Sequence, residues 1–155
     1  EKFDFFNAHS WCEFPKADGV KANKIIEKSL TDRTFKTQGY LHFHIYPNAF
    51  VSSVEGKGFY LGFMLPESPS KTNLRVRYFS SKFERELNES EQNIIDFINN
   101  SSNESLDLVL NEDKKIIENI QSNLVNFKDH SPIFGEEEFR ILKYYEFLNS
   151  KEELK

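Results

Sequence analysis

An aspartate, Asp113, lies within the apolar stretch LVLNEDKKIIENIQ, residues 108–121. At about 100° of rotation per residue on a helix, several apolar side chains project within roughly 60° of Asp113. These are Leu106, Val109, Leu110, Ile116, Ile117, Ile120 and Leu124. A carboxylate buried on such a face takes up a proton or is compensated by a cation, hydrogen-bond donors or a metal ion. On the residues alone, a structural ion pair, a carboxylate that reaches water near a helix end and a metal ligand all stay open.

Two histidines, His42 and His44, alternate with Phe43 and Ile45, so both imidazoles point to the same side of one strand. The simpler interpretation places them on the outer face of a half-buried strand. If that side is instead concave and faces a long helix, they line a cavity and can hydrogen-bond a ligand or exchange protons near neutral pH. Two such histidines can also bind a metal. Phe50 is a candidate for the cavity wall.

The remaining reactive residue types have simpler interpretations. His130 follows Asp129 in a predicted surface loop, and Cys12 beside Trp11 is a small buried hydrophobe. A single cysteine excludes intrachain disulfides, Cys-rich zinc sites and thiolate-bound iron–sulfur clusters. It also favours a reducing, cytoplasmic compartment.

Length and composition predict one folded domain over residues 1–155. The aromatic content of 15% suits a core or cavity walled by large, stiff side chains. A formal charge of -5 leaves no basic stripe for phosphates, so nucleic acid and anionic membrane surfaces are poor candidate partners. No apolar run approaches the roughly 20 residues that a membrane-spanning helix needs.

The elements that position these residues change type along the chain. Residues 1–33 are predicted to be an irregular lead-in, with a loop at WCEFPKADG and a short helix at VKANKIIEKSL. Residues 34–82 hold four strand-like runs separated by Pro, Asn, Gly and Ser turns, which predict an antiparallel meander. The runs are TFKTQGYLHFHIYP, AFVSSVE, GFYLGFMLPE and TNLRVRYFS.

Residues 88–150 are predicted to be helical. NESEQNIIDFINN forms a short helix, residues 104–126 form a long one, and GEEEFRILKYYEFLNSKEE forms a third. Ser101 and Glu104 have capping-box spacing at the start of the long helix, and Ser131-Pro132 marks a break before the third. Strands followed by helices predict an α+β domain with a curved antiparallel sheet around a long helix.

The segment EDKKIIENIQ, residues 112–121, resembles the catalytic-domain helix of Rieske non-haem iron oxygenases. The closest similarity is to the monooxygenase and demethylase branches that include dicamba and glycine betaine oxygenases. YLHFHIYPNAFVSS is similar to that family's strand with a Pro-Asn turn, GFMLPESPSKTNLRVRYF to its next strand pair, and GEEEFRILKYYEFL to its last helix. The resemblance covers roughly residues 40–148 of the chain.

The resemblance implies a helix-grip fold of the START/Bet v 1-like type. It also implies a mononuclear Fe(II) held by two histidines and one carboxylate, with positions open for oxygen. By motif, Asp113 matches the carboxylate ligand. The family's upstream His pair, spaced by three to five residues, has no match in His9, His42, His44 or His130. The Cys-x-His and Cys-x-x-His pairs of a Rieske [2Fe–2S] cluster are also missing.

Two explanations for these missing ligands stay open. The chain is either the C-terminal piece of a longer oxygenase or a degenerate relative without redox chemistry, and its start within EKFDFF favours the first. The resemblance then implies that the parent hydroxylates or oxidatively demethylates a small organic substrate, as a monooxygenase or dioxygenase. Electrons would come from NAD(P)H through a reductase or ferredoxin, and the parent would be a homo-oligomer, often a trimer.

We expect this polypeptide by itself to bind iron weakly or not at all and to be inactive, because one carboxylate does not form a three-ligand face. The alternative function is a non-catalytic helix-grip module that binds an apolar or amphipathic small molecule between its sheet and long helix. A third hypothesis is a structural subunit that self-associates.

Overall fold

Six strands form one antiparallel sheet in sequence order. The computed structural model describes residues 2–15, 35, 37, 39–124 and 133–152. Its strands are β1 (Lys2–Phe6), β2 (His9–Pro15), β3 (Gly39–Ile45), β4 (Ala49–Val54), β5 (Gly58–Ser68) and β6 (Lys71–Ser80). Strands β3 and β4 lie within their predicted runs, and β5 and β6 extend beyond theirs by one residue, at Ser68 and Lys71, so the predicted meander is confirmed.

The N-terminal segment corrects the expectation of an irregular lead-in. β1 and β2 pair as a hairpin, and Trp11 to Pro15, predicted as a loop, belong to β2. The turn between Phe6 and His9 is possible because Asn7 adopts a φ of 53°, a left-handed conformation that Asn tolerates better than most residues. The helix predicted at VKANKIIEKSL lies outside the described residues.

The helical part also departs from the predicted boundaries. Helix α1 runs without a break over Glu89–Leu124 for 36 residues, where two helices were expected. No Gly or Pro occurs in this segment, so nothing interrupts the backbone hydrogen-bond ladder. A short 3-10 turn (Glu136–Glu138) leads directly into helix α2 (Phe139–Glu152). The break predicted at Ser131-Pro132 lies outside the described part of the chain.

The capping box of the long helix lies at Asn88 and Glu91, which corrects the expectation for Ser101 and Glu104. The Glu91 backbone N–H donates to Asn88 Oδ1 at 2.9 Å, and the Asn88 N–H donates to Glu91 Oε2 at 2.9 Å. Arg85 donates to both Glu91 carboxylate oxygens, and these hydrogen bonds lower the pKa of Glu91 to about 2. Ser101 instead lies inside the helix.

Both helices pack on the same face of the sheet. Residues in direct cross-strand register share a face, and the contacted face is called here the helix-side face. Its members are Phe3, Phe5, Ser10, Cys12, Phe14, Tyr40, His42, His44, Phe50, Ser52, Val54, Gly58, Tyr60, Gly62, Met64, Leu74, Val76, Tyr78 and Ser80.

Helix α2 covers one end of the helix-side face, and the first half of α1 covers the other. The Phe139 ring lies 5.8 Å from Phe3 and 5.6 Å from Phe5, measured between ring centroids. At the other end, the Tyr60 hydroxyl donates to the Ser102 carbonyl of α1 at 3.2 Å. This arrangement confirms the predicted α+β, helix-grip class. Neither described helix has the length of apolar sequence that crossing a membrane requires.

The second half of α1 extends beyond the described contacts. Asp113 and every other side chain from 111 to 124 are exposed, including Ile117 at 63%. The expectation that the apolar neighbours of Asp113 form the core is therefore wrong for the described chain. A helix of 36 residues is about 54 Å long, whereas the six strands span about 24 Å across the sheet and the longest strand, β5, is about 36 Å long. The buried hydrophobic residues lie elsewhere, at Ala8, Cys12, Leu41, Ala49 and Ile95.

Candidate functional site

A row of side chains crosses the helix-side face from β6 to β2. In direct cross-strand register, Tyr78 lies opposite Tyr60, Tyr60 opposite Ser52, Ser52 opposite His42, and His42 opposite Cys12. These five residues are called here the polar row. Because neighbouring strands lie about 4.8 Å apart, successive members are close enough to interact. The row therefore connects the part of the sheet under α1 with the part under α2.

His42 lies at the centre of the polar row and is held by its Nδ1 side. Its Nδ1 lies 2.9 Å from Ser52 Oγ, and the Tyr40 hydroxyl donates to the same Oγ at 3.2 Å. The Tyr40 hydroxyl also lies 3.4 Å from Nδ1, so Tyr40, His42 and Ser52 form one hydrogen-bonded group on the Nδ1 side of the ring. The ring stacks between Tyr40 and Phe50, with centroids 6.2 and 5.8 Å away.

Both strand histidines are neutral at neutral pH. Burial lowers the pKa of His42 to about 4, with smaller contributions from the charges of Arg140 and His44. Burial and Arg140 also lower the pKa of His44, against a hydrogen bond to the Ala8 backbone. The His44 ring meets the Tyr144 ring of α2 edge-on at 4.7 Å. These imidazoles thus act as hydrogen-bonding groups on the helix-side face, which rules out the simpler outer-face interpretation.

Arg140 of α2 reaches the Cys12 end of the polar row, and the sequence reasoning did not identify it. Its Nη1 donates to Cys12 Sγ at 2.7 Å, and its Nε and Nη2 donate to Ser10 Oγ at 3.3 and 3.1 Å. Cys12 is fully buried, as expected. A signal was present, since Arg140, Tyr144 and Phe147 are spaced by four and three residues and therefore share one helix face.

A cavity of about 360 Å³ lies at the other end of the row, between α1 and the β4–β5 turn. Tyr60 and Tyr78 form its sheet wall, and Phe97, Ile98 and Ser105 belong to its helix wall. The Tyr78 hydroxyl donates to Asn99 Oδ1 at 2.8 Å. Burial raises the pKa of both phenols, which keeps them protonated at neutral pH. The volume is within the range of small-molecule pockets.

Glycines let aromatic rings lie against the sheet beside these groups. A Cβ added at Gly62 would lie 2.2 Å from the Phe50 ring, and one at Gly58 would lie 2.2 Å from the Tyr78 hydroxyl. Phe50 can therefore lie flat over β5 and beside His42 only because residue 62 has no side chain. Of the residues proposed to line a pocket, the structure brings His42, His44 and Phe50 onto one face.

Asp113 is not brought together with those residues by direct contact. It lies eight residues beyond Ser105 on α1, about 12 Å along the helix axis, and its side chain is exposed. Within the described ranges, no group of three or more His, Cys, Asp or Glu side chains could hold a metal. His9 is on the opposite face of the sheet, where its Nδ1 accepts the Tyr46 N–H at 3.1 Å. These residues therefore do not form the complete ligand set of a mononuclear iron site.

Comparison with known proteins identifies the family. The family model described as ring hydroxylating alpha subunit (catalytic domain) matches residues 3–152. No curated protein and no solved structure matches the chain significantly. The family match covers almost the whole chain and agrees with the helix-grip architecture, which confirms the resemblance to Rieske oxygenase catalytic domains. The chain therefore belongs to the family of ring-hydroxylating alpha subunit catalytic domains.

Proposed function

We propose that the chain is the part of a Rieske-type oxygenase catalytic domain that holds a small organic substrate for hydroxylation or oxidative demethylation. The observation that carries this proposal is the family match over residues 3–152. The cavity beside the polar row supports it, because a pocket between a curved sheet and a long helix is where such a fold binds small molecules.

The residues of the helix-side face suit binding and orientation. The aromatic side chains of Tyr60, Tyr78 and Phe97 offer apolar contact surface to a substrate. In its Nε2–H tautomer the neutral His42 offers a donor to a ligand, while Phe50 stacks on its ring. In this proposal, the cavity holds the apolar body of the substrate, and the neutral His42 and His44 hydrogen-bond its polar groups without adding positive charge at neutral pH.

Asp113 is proposed as the anionic ligand of the family's mononuclear iron, which supplies oxygen activation when it is bound. The two histidine ligands are proposed to come from outside the described residues, as is the Rieske [2Fe–2S] cluster. Electrons would reach the iron from NAD(P)H through a reductase or ferredoxin, in a homo-oligomer. Since Asp113 alone does not form a three-ligand face, we expect weak or no iron binding and no turnover by this polypeptide alone.

Anaerobic Fe(II) titration of the 155-residue chain tests the iron assignment. We expect weak binding that is lost in Asp113→Asn and retained in the matched control Glu118→Gln, on the polar side of the same helix. Equal binding by both variants would contradict the role of Asp113. Full occupancy with two histidines from within residues 1–155 would contradict the expectation that the isolated chain is inactive.

A second candidate function is a non-catalytic helix-grip module that binds an apolar small molecule. The cavity favours it directly, because Val54, Phe97 and Ile98 line a space that needs no metal to accept a ligand. Two results together would favour the module over the oxygenase. A bound ligand would keep its affinity when Fe(II) is added and when Asp113 is changed to Asn, and the full-length parent would form no product when it is supplied with an electron donor and oxygen.

A further inference from the structure

The helix-side face has no formal charge of its own. None of its members defined above is Asp, Glu, Lys or Arg. The opposite face of the same strands carries Lys2, Asp4, Glu13, Arg75 and Arg77. Arg140 therefore places a guanidinium over a surface of aromatic rings, hydroxyls and a thiol. A cation held in such surroundings is costly unless an anion compensates it.

The hydrogen bonds of Arg140 leave part of its guanidinium available. A guanidinium carries five N–H donors, and three of them donate to Ser10 Oγ and Cys12 Sγ. The acceptors are a hydroxyl oxygen and a sulfur atom, and neither belongs to a carboxylate. The two remaining N–H groups belong one to Nη1 and one to Nη2, the pair that forms a fork for a carboxylate. Arg140 is half-buried, so part of its side chain is shielded from solvent.

His42 supplies a further donor next to this guanidinium. His42 and Cys12 lie opposite each other on β3 and β2, and the Arg140 charge is close enough to influence the His42 ring. With Nδ1 engaged by Ser52, Nε2 is the His42 ring nitrogen left for a ligand, and it donates when it carries the imidazole proton. Tyr40 and Phe50 enclose the ring with aromatic surface, which favours an organic anion over a fully hydrated inorganic one.

We propose that Arg140 and His42 form a subsite for the carboxylate of an organic acid, with the guanidinium fork as its main donor. This inference rests on the proposed function and deepens it, since it assigns carboxylate-bearing small molecules as the substrate class. The carboxylate binds at the α2 end of the helix-side face, and the apolar body of the acid extends along the polar row towards the cavity under α1.

The test measures binding of sodium benzoate and of its uncharged analogue benzamide to the 155-residue chain by isothermal titration with a chelator present. We expect benzoate to bind at least about tenfold more tightly than benzamide, the scale of a hydrogen bond to a charged group. Arg140→Gln should reduce benzoate affinity by about tenfold or more and leave benzamide affinity unchanged. Arg77→Gln, a charge removal on the opposite face of β6, should change neither.

Two further measurements keep the proposal testable if Arg140→Gln lowers stability. Arg140→Lys keeps the charge but loses the fork, so we expect an intermediate loss of benzoate affinity. Ultraviolet absorbance at neutral pH reports whether Cys12 is a thiolate. A thiolate signal that disappears in Cys12→Ser would overturn the proposal, because Cys12 would then be the anion that compensates Arg140.

Equal affinity for benzoate and benzamide would also overturn it, as would inorganic phosphate binding as tightly as benzoate. The assay contains no iron, oxygen or electron donor. A failure here therefore leaves the oxygenase proposal standing, whereas a failed Fe(II) titration at Asp113 leaves the carboxylate subsite standing.

Discussion

The two halves of helix α1 have similar apolar periodicity but different surroundings. In the first half, Ile95 is buried at 8% exposure, and Asn99 and Ser102 accept hydrogen bonds from the tyrosines of the polar row. In the second half, the stripe around Asp113 is exposed, with Ile116 at 57%. Periodicity thus identifies which side of a helix is apolar, whereas burial depends on whether another element reaches that side.

We expect the largest difference in the free energy of unfolding between alanine substitutions of one isoleucine in each half of α1. Ile95→Ala removes a buried side chain from the packed half, so we expect a loss of about 2–4 kcal/mol in the free energy of unfolding. Ile117→Ala in the exposed half should change it by no more than about 0.5 kcal/mol. Urea unfolding measures both. Equal losses would show that the second half is also packed in solution.

The lowered pKa of His42, in the packed region, should make the free energy of unfolding depend on pH. The pKa of His42 falls from 6.5 to about 4 on folding, so the unfolded chain binds the proton more readily between these values. Stability should be unaffected above pH 6.5 and decrease as pH falls from 6.5 towards 4, by up to about 3 kcal/mol. Solvent screening of the partly exposed ring reduces this figure.

Urea unfolding at a series of pH values, compared between the wild-type chain and His42→Phe, measures this contribution. The decrease assigned to His42 should be absent from the variant, while the contributions of other groups persist. Identical pH profiles would contradict the lowered pKa and with it the neutral Nε2–H donor proposed for ligand binding.

Alanine substitutions at two glycines compare a packed position with an open one. Gly62→Ala forces the Phe50 ring away from β5, and we expect a loss of about 1–3 kcal/mol together with a change in the Phe50 and His42 ring resonances. Gly135→Ala is the control, because its new Cβ meets only Glu138 Oε2 at 3.5 Å, an ordinary contact. NMR follows the Phe50 ring resonances. If they are unchanged in Gly62→Ala, the close approach of the Phe50 ring to Gly62 is contradicted.

The smallest effect concerns the start of α1. Asn88→Ala removes the side-chain cap from the packed half and should cost about 1 kcal/mol. Asn119→Ala removes the same amide from the exposed half and should be neutral or slightly stabilising, since Ala favours the helix interior. Thermal unfolding followed by circular dichroism compares the two. A larger loss from Asn119→Ala would mean that the exposed half makes the more important contacts.

The sheet was predictable where short strand-like runs lie between turn residues. β3 to β6 correspond to such runs, whereas Trp11 to Pro15 combine a proline with nearby Gly19 and so suggested a loop. The Ser101 and Glu104 pair has the same spacing as a true capping box, and only the continuous backbone of α1 shows that it is interior. Local patterns do not distinguish these cases, because strand pairing and helix continuity depend on neighbours distant in sequence.

The candidate site was predictable in part for a related reason. Alternation correctly placed His42 and His44 on one side of a strand, but which side the helices cover is a property of the whole sheet. Arg140 was missed because a single arginine on a helix is most often solvated. Helical periodicity places Asp113 among apolar side chains on one side of α1. Whether that side is buried depends on other elements that pack against the helix.

The polar row has a consequence for folding as well as for binding. A shift of β3 by one residue against β4 would turn His42 to the other face and place Leu41 or Phe43 opposite Ser52. Ser52 Oγ would then lose its hydrogen bond with the imidazole in a buried position. The hydrogen bonds among Tyr40, His42 and Ser52 therefore select one alignment of the central strands, and the groups proposed to hold a ligand also specify the register of the sheet that presents them.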